Sequence, residues 1–277
     1  MHAGQITPTP RLSATALAFP PRPVAQDIAA FAEAGVPSIG VAEWRLEEQG
    51  WDSELAVLKD SPVPVAYLLA PSFFTLEDPS RWPAERERLL RVASAARDVG
   101  ANLVYGTTGP AGSLSFEAAT EAFAEAAAPV VEAAADLGVT ICFETTNQLR
   151  QELGFTYTFR DQVVVSEASG MPICLDLAWT WRERGLVELV AANADRIAMM
   201  QVSDYIPPST SMPDRAVPGD GIVPLKALLA GIHAAGFRGL VDVELLGPRI
   251  DAEGAVPALR RGVARVAELL AARTAGV

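Results

Sequence analysis

The sequence has little histidine and little cysteine, with two residues of each among 277. Cys142 and Cys174 lie far apart in apolar segments and form no CxxC motif, which excludes the disulfide framework of a small secreted domain. We predict that both are reduced core residues of a cytoplasmic protein. His2 is terminal and His233 lies in a predicted helix, so neither histidine is expected in a functional site.

Long apolar runs and an excess of positive charge are also absent. No stretch reaches the ~18 uninterrupted apolar residues of a membrane-spanning helix, and residues 1–11 lack a basic region followed by an apolar run, so we expect neither a membrane nor a targeting segment. Thirty-four acidic residues against 22 basic ones give a net charge of −12. Because this field repels phosphate backbones and anionic bilayers, neither nucleic acid nor a membrane is an expected partner.

The signatures of several enzyme classes are missing as well. The chain contains no Walker motif, no GxSxG elbow and no Cys/His pair, so phosphoryl transfer and nucleophilic acyl transfer have no support. What remains is the composition of a globular protein, with half of the residues hydrophobic and a fifth charged.

The dominant pattern is an alternation of short Val-, Ile- and Leu-rich runs with longer Ala-rich runs of helical spacing, repeated eight times. Such alternation predicts βα units and a parallel sheet. The predicted strands are Ser13–Phe19, Ser38–Trp44, Val63–Ala70, Ala101–Thr107, Val139–Thr145, Met171–Leu177, Ile197–Ser203 and Gly239–Leu245. The predicted helices are Val24–Glu33, Asp52–Lys59, Pro83–Asp98, Phe116–Leu137, Phe159–Ala168, Glu183–Asn193, Val223–Ala235 and Pro257–Arg273.

The loops of this pattern differ in length at the two ends of the strands. Turns that enter strands are short, whereas 146–158, 204–222 and 246–256, which leave strands, are much longer. This asymmetry is typical of a (β/α)8 barrel, whose functional loops follow the carboxyl ends of the strands. A doubly wound open sheet is the competing architecture, but no Gly-rich fingerprint follows the first strand.

We therefore predict an α/β protein with the (β/α)8 TIM barrel fold. No Pro/Ser-rich linker or charge block divides the chain, so 1–277 is predicted to be a single domain. Its structured part is expected to run from about residue 12 to residue 274, with 1–11 as an N-terminal extension.

Oxygen-bearing side chains mark the carboxyl ends of four neighbouring predicted strands. Read with a period of two, strands five to eight direct Glu144, Asp176, Gln201 and Glu244 into the barrel. No lysine or arginine occurs inside these strands, so the three carboxylates would repel one another unless a cation neutralised them. A divalent metal ion is the economical explanation. Any one of these acids taken alone is as readily a helix cap, a solvated loop residue or a partner for a loop arginine. Asp242 is expected to point the same way, one layer deeper.

The chain resembles the sugar phosphate isomerase/epimerase family, whose fold is a xylose isomerase-like TIM barrel. The resemblance rests on the segments ICFETTN, PICLDLAW, MMQVSDY, VPGDGIVPLKALLAGIHAAGFRGL and VDVELLG. It implies a divalent metal, often manganese or magnesium, held by a glutamate, an aspartate, a histidine and a second glutamate. By this resemblance Glu144, Asp176 and Glu244 occupy the acidic ligand positions, and Gln201 stands where the histidine would be.

Two positions depart from the family pattern. Gln201 replaces the histidine ligand, and Trp179 stands where a second histidine is often found. A glutamine can coordinate through its amide oxygen, and an all-oxygen ligand set favours Mg²⁺ or Mn²⁺ over zinc. The alternative is that metal binding has been lost, leaving a binding pocket or a metal-free catalyst. The missing histidines also disfavour the apurinic-site endonucleases of this superfamily, whose zinc clusters need several.

Three further residues are expected to contact the substrate. By resemblance, Arg215 reaches substrate oxygens from the loop after strand seven; its alternative is a surface arginine that pairs with Asp214 and Asp220. Asp204 stands in the place of an acid common in the family, where it would bind the metal or orient Gln201. The indole of Trp179 is predicted to be a platform for a sugar ring, with core packing as its alternative.

The leading functional hypothesis is a metal-assisted isomerase or epimerase of carbohydrate metabolism, acting on a sugar, a sugar acid or a polyol-derived ketone. Glu144 and Glu244 would transfer protons at a carbon next to a carbonyl group. One alternative is a lyase or dehydratase acting on a keto-glycoside or a non-sugar substrate. The other is a non-catalytic barrel that binds a small ligand. The expected partner is a small-molecule substrate, and the Ala-rich helices are compatible with a homodimer.

Overall fold

Eight parallel strands close into one barrel in the computed structural model, which describes residues 11–272. Each strand pairs with the next along the chain, and the eighth pairs with the first. The (β/α)8 TIM barrel predicted from the sequence is therefore confirmed. Predictions that concern residues 1–10 and 273–277 lie outside the described residues. The strands are β1 Leu12–Thr15, β2 Ile39–Ala42, β3 Val65–Ser72, β4 Leu103–Thr107, β5 Thr140–Glu144, β6 Ile173–Asp176, β7 Ile197–Val202 and β8 Leu240–Val243.

Helices surround the barrel, and each of the eight predicted helices is present. The α-helices are α1 Val24–Ala34, α2 Glu43–Gln49, α3 Trp51–Lys59, α4 Trp82–Asp98, α5 Phe116–Asp136, α6 Phe159–Ser169, α7 Leu177–Thr180, α8 Leu186–Asn193, α9 Leu225–Ala234, α10 Pro248–Glu253 and α11 Ala255–Ala271. Within residues 11–272, no helix combines the length and the apolar character that crossing a membrane would require.

Three helices were not predicted, and several predicted strands were too long. The strand predicted over Ser38–Trp44 ends at Ala42, because Glu43 begins α2 with no intervening loop. Likewise the strand predicted over Ser13–Phe19 ends at Thr15. The Thr15 hydroxyl accepts a hydrogen bond from the Leu17 N–H at 3.3 Å and so caps a short 3-10 turn. The other unpredicted helices, α7 and α10, also begin within a few residues of a strand end, where strand and helix patterns merge.

The lower part of the barrel is filled by apolar and aromatic side chains. Tyr67 and Tyr105 are fully buried there and pack edge to face, with ring centroids 5.0 Å apart. Cys142 and Cys174 lie in the same layer as free, buried thiols, as the sequence predicted. Gly40 makes room for the Tyr67 ring, because a Cβ atom at residue 40 would lie 1.8 Å from the ring carbon Cζ. This packing forms a solid floor below the carboxyl ends of the strands.

Helix α6 is fastened to the two strands that carry the first acidic residues of the site. Thr158 and Asp161 form a reciprocal capping box at its N-terminus. From its inner face, the fully buried Gln162 donates hydrogen bonds to the carbonyl oxygens of Phe143 and Cys174, both at 3.0 Å. These bonds fix β5 and β6 against each other just below the point where both strands end.

Candidate active site

Three carboxyl groups meet at the mouth of the barrel. Glu144 and Asp176 are the last residues of β5 and β6, and Glu244 directly follows β8. Each offers a carboxylate oxygen, and these oxygens all lie within 4.8 Å of one another. The sequence-based prediction placed these side chains together, and they form a cluster of a kind that could hold a metal ion.

Arg215 enters this cluster from the loop that follows β7. Its Nη2 donates to Asp176 Oδ2 at 2.6 Å and to Glu244 Oε2 at 2.7 Å, and all three side chains are buried. The alternative of a surface arginine is wrong, because Asp214 forms an ion pair with Arg249, and Asp220 pairs with Arg261. Arg215 is therefore an internal cation of the acidic cluster.

The backbone of the loop directs Arg215 inward. Asp204 and Ala216 form an isolated antiparallel bridge with N–H to oxygen distances of 2.8 and 2.9 Å, so the loop folds back on the end of β7. The Arg215 N–H also donates to the carbonyl of Leu246 at 3.1 Å, beyond the end of β8. On one side the guanidinium lies over the ring of Trp179, with Cζ 4.6 Å from the centroid. Both the backbone and the guanidinium of Arg215 are therefore held in place.

Gln201, the fourth predicted ligand, is fully buried next to the cluster. Its amide nitrogen donates to Glu244 Oε1 at 3.0 Å and to the Tyr105 hydroxyl at 3.1 Å. Its amide oxygen accepts from the Cys174 thiol at 3.3 Å. The atom that could bind a metal is thus turned toward a thiol, and the metal coordination predicted for Gln201 stays a prediction that this arrangement does not support.

Carboxylate oxygens suit a hard ion such as Mn²⁺ or Mg²⁺, so the chemistry of the acidic groups alone fits a divalent cation. Asp176 Oδ2 and Glu244 Oε2, however, already accept hydrogen bonds from Arg215 Nη2. The group that Gln201 turns toward Glu244 is an amide nitrogen, which is a donor and not a metal ligand. Taken together, the residues as arranged do not fit a bound divalent cation.

A cavity of about 270 Å³ opens above the cluster, near the lower end of the usual range for small-molecule sites. Glu144, Arg215 and Glu244 border it, and Trp44 and Trp179 contribute aromatic walls. Glu144 is partly exposed to this space and has no hydrogen-bond or ion-pair partner among residues 11–272. The site therefore presents one free carboxyl group beside a carboxylate that is held by a guanidinium.

Burial raises the pKa of both glutamates. For Glu144, burial has the largest effect and the nearby charges of Glu244 and Asp176 raise the pKa further. The pKa of Glu244 rises to about 7 because burial outweighs the attraction of Arg215. Both shifts favour the protonated form of these carboxyl groups relative to an exposed glutamate. Burial acts to lower the pKa of Arg215, but Asp176 and Glu244 outweigh it, so the guanidinium keeps its charge.

Asp242 lies one layer deeper, as expected. It is fully buried, and its Oδ1 accepts from the Ser13 hydroxyl at 2.5 Å. Burial raises its pKa to about 7, with the hydrogen bond from Ser13 acting in the opposite direction. Asp242 borders no part of the cavity above the cluster, so it supports the site from below.

Asp204 is placed at the base of the loop that carries Arg215. Its Oδ1 accepts from the N–H groups of Tyr205 and Val223, at 2.8 and 2.9 Å, and its Oδ2 accepts from Gly219 at 2.9 Å. Both oxygens are used within the loop. The contacts of Asp204 are thus structural, and the substrate contact predicted for it stays a prediction.

Two tyrosines of the site were missed by the sequence analysis. Tyr105 accepts the hydrogen bond from Gln201, and Tyr67 packs on Tyr105 from below. A period-two reading of strand four would have placed Tyr105 on the inward face with Leu103 and Thr107. Neither tyrosine is acidic, so the charge pattern that marks the ends of strands five to eight does not identify them.

Comparison with known families agrees with the fold. The sequence profile described as the xylose isomerase-like TIM barrel matches residues 28–269. The chain belongs to this family. A search of curated protein sequences found no match.

Solved structures of similar fold include several with low sequence identity. A protein from Sinorhizobium meliloti 1021 has a TM-score of 0.82 and 21% identity, covering 93% of this chain and 98% of its own. The IOLI protein, solved with a bound zinc atom, has a TM-score of 0.81 and 17% identity, with coverages of 95% and 99%. D-psicose 3-epimerase from Clostridium cellulolyticum H10, solved with D-tagatose, has a TM-score of 0.72 and 14% identity, with coverages of 94% and 98%. At these identities the likeness establishes the fold of this xylose isomerase-like barrel.

Proposed function

We propose that the protein is an isomerase or epimerase that moves a proton at a carbon next to a carbonyl group in a sugar, a sugar acid or a polyol-derived ketone. The observation that carries this proposal is the position of the free Glu144 carboxyl group beside the Arg215–Glu244 ion pair, at the floor of one cavity. Membership of the xylose isomerase-like family and the sugar epimerase among the similar structures support the same chemistry.

In such a reaction one ionised carboxylate acts as the base, and the other carboxyl group, which carries a proton, acts as the acid. One carboxylate takes the proton from the substrate carbon, and the electrons of the broken C–H bond move to the carbonyl oxygen to give an enediolate. The other carboxyl group returns a proton. In an epimerisation it delivers the proton to the opposite face of the same carbon, and the carbonyl group re-forms. In an isomerisation it delivers the proton to the former carbonyl carbon, while the hydroxyl proton of the first carbon passes to the former carbonyl oxygen, so that the carbonyl group re-forms at the first carbon. Glu144 and Glu244 exchange roles in the reverse direction.

Arg215 supplies the positive charge that stabilises the enediolate oxygen. Its Nη2 is engaged by Asp176 and Glu244, but its Nε has no hydrogen-bond partner within residues 11–272. Its Nη1 reaches Asp176 Oδ1 and the Ser203 hydroxyl only at 3.4 Å. Because Nε is buried, Nη1 is the group that would donate to a substrate oxygen at the cavity while Nη2 remains paired with the acidic residues.

The aromatic walls support a substrate with one polar and one apolar face. Trp44 and Trp179 border the cavity, and an indole ring packs well on the C–H face of a sugar ring. In this arrangement the hydroxyl and carbonyl oxygens of the substrate turn toward Glu144, Arg215 and Glu244.

Hydrogen–deuterium exchange of substrates tests the proposal directly. The purified protein is incubated in D₂O with a panel of ketoses, aldoses, sugar acids and keto-polyols, and NMR records the loss of C–H signals next to the carbonyl group. We expect exchange with at least one member of the panel. Glu144→Gln and Glu244→Gln should each lower the exchange rate by roughly 10²- to 10⁴-fold.

Glu43→Gln is the matched control, because Glu43 is a buried glutamate that pairs with Arg88 outside the cavity. It should retain the exchange rate of the wild type. Full turnover in both the Glu144 and the Glu244 variants would refute the mechanism. An unsaturated product without any epimer would indicate the lyase alternative, and saturable binding without exchange would indicate a non-catalytic barrel.

A further inference from the structure

We infer that Arg215 takes the place of the divalent cation in this barrel, so that the protein carries out its reaction without a bound metal ion. The absence of a metal from the reaction rests on the proposed function. The replacement itself follows from the contacts of Arg215 and Gln201.

The guanidinium holds the two carboxylates that a metal would need. Nη2 lies 2.6 Å from Asp176 Oδ2 and 2.7 Å from Glu244 Oε2, with no solvent between these buried groups. A Mn²⁺ or Mg²⁺ ion bonded to the same oxygen of Asp176 would lie about 2.1 Å from it, and hence within about 5 Å of Nη2. Two cations at that separation in a buried site repel each other strongly.

The loop leaves Arg215 little freedom to withdraw. Its backbone is bound to Leu246, the next residue is bridged to Asp204, and the guanidinium lies against Trp179. Making room for a metal would require the guanidinium to leave both carboxylates and its aromatic partner. Removing a buried cation from buried carboxylates is strongly unfavourable.

Gln201 provides an independent second observation. It stands between the Asp176 and Glu244 positions and directs an N–H donor to Glu244, at 3.0 Å. An amide nitrogen has no lone pair for a metal, whereas it complements a carboxylate that accepts hydrogen bonds. Arg215 and Gln201 thus both donate hydrogen bonds to the Glu244 carboxylate. The acidic cluster therefore receives its hydrogen bonds from donors within the protein.

The test compares Mn²⁺ and Mg²⁺ binding by the wild type, by Gln201→His and by the double variant Gln201→His/Arg215→Gln. Each protein is treated with a chelator, reloaded with the metal salt and dialysed, and elemental analysis measures the metal content. We expect less than about a tenth of an equivalent on the wild type and a stoichiometric ion on the double variant, which removes the internal cation and restores an imidazole ligand. Arg215→Lys should remain metal-free, since it retains a positive charge.

Thermal unfolding gives a second readout that does not depend on substrate. Added Mn²⁺ should raise the Tm of the double variant and leave the Tm of the wild type unchanged, because only a ligand that binds the folded state stabilises it. If the double variant does not fold, the wild-type measurement alone still decides. A stoichiometric ion on the wild type, lost in Glu244→Gln, would overturn the inference.

These experiments distinguish a failure of the metal-replacement inference from a failure of the proposed function. Deuterium exchange by the wild type in excess chelator supports both proposals. Absence of exchange with every substrate, together with absence of metal binding, overturns the proposed function and leaves the replacement of the metal by Arg215 intact. Exchange that appears only after metal is added overturns the replacement and leaves the proton-transfer chemistry intact.

Discussion

The guanidinium of Arg215 lies over the indole of Trp179, with Cζ 4.6 Å from the ring centroid. The same indole forms a wall of the cavity above the acidic cluster. One tryptophan thus supports the internal cation and shapes the space for the substrate.

Replacing this indole should weaken substrate binding. We expect Trp179→Ala to raise KM about tenfold, on the order of 1–2 kcal/mol, since both the aromatic wall and the stacking on Arg215 are lost. The deuterium-exchange assay measures KM with any substrate it identifies. Trp181→Ala is the control, because its ring packs on Arg182 at 4.4 Å and lies outside this cavity. Equal effects of the two variants would contradict the assignment.

The loop that carries Arg215 should depend on Asp204. Its carboxylate accepts three backbone hydrogen bonds, so Asp204→Ala is expected to lower the free energy of unfolding by about 1–3 kcal/mol. Amide hydrogen exchange at Gly219 and Val223 should become faster than in the wild type. Asp204→Asn retains one acceptor oxygen and should cost less. Unchanged exchange at both amides would show that the loop is held by other contacts.

Asp242 should make stability depend on pH. Its pKa is about 7 in the folded protein and about 4 in an unfolded chain, so the folded state binds the proton more tightly. The contribution of this group is complete below about pH 4 and is lost as the pH rises toward 7, by up to about 1.4 kcal/mol per pH unit.

Asp242→Asn removes this titration while keeping an oxygen that can accept from Ser13. Urea unfolding between pH 4 and 7 should therefore show a smaller loss of stability in the variant than in the wild type as the pH rises. Other buried acids titrate in both proteins, so the difference between the two profiles reports Asp242. Parallel profiles would contradict the prediction.

The floor of the barrel should reject a side chain at residue 40. A Cβ atom there would lie 1.8 Å from Tyr67 Cζ, so Gly40→Ala is expected to destabilise the fold by about 1–3 kcal/mol or more. Adding Tyr67→Leu should recover part of the loss, which a double-mutant cycle in urea measures. Gly40 does not have a positive φ, so the loss reports the clash and not backbone strain. A purely additive cycle would exclude the Tyr67 contact as the cause.

The sequence alone predicted the barrel because its signals are local. Strand and helix periods, and the short turns that enter the strands, depend on neighbouring residues only. The same periodicity brought Glu144, Asp176 and Glu244 to one end of the barrel, since side chains alternate along a strand whatever its partners are. Errors arose where a helix follows a strand directly, as at Glu43, because the two periods overlap there.

What the tertiary structure decided is the position of the positive charge. Arg215 lies in a long loop with no period of its own, and its side chain enters the cluster only because the loop is bridged to the end of β7 and bonded beyond β8. The sequence therefore determined that buried carboxylates need a cation. Whether that cation is a metal ion or a guanidinium depends on contacts between residues distant in the chain, which only the folded protein brings together.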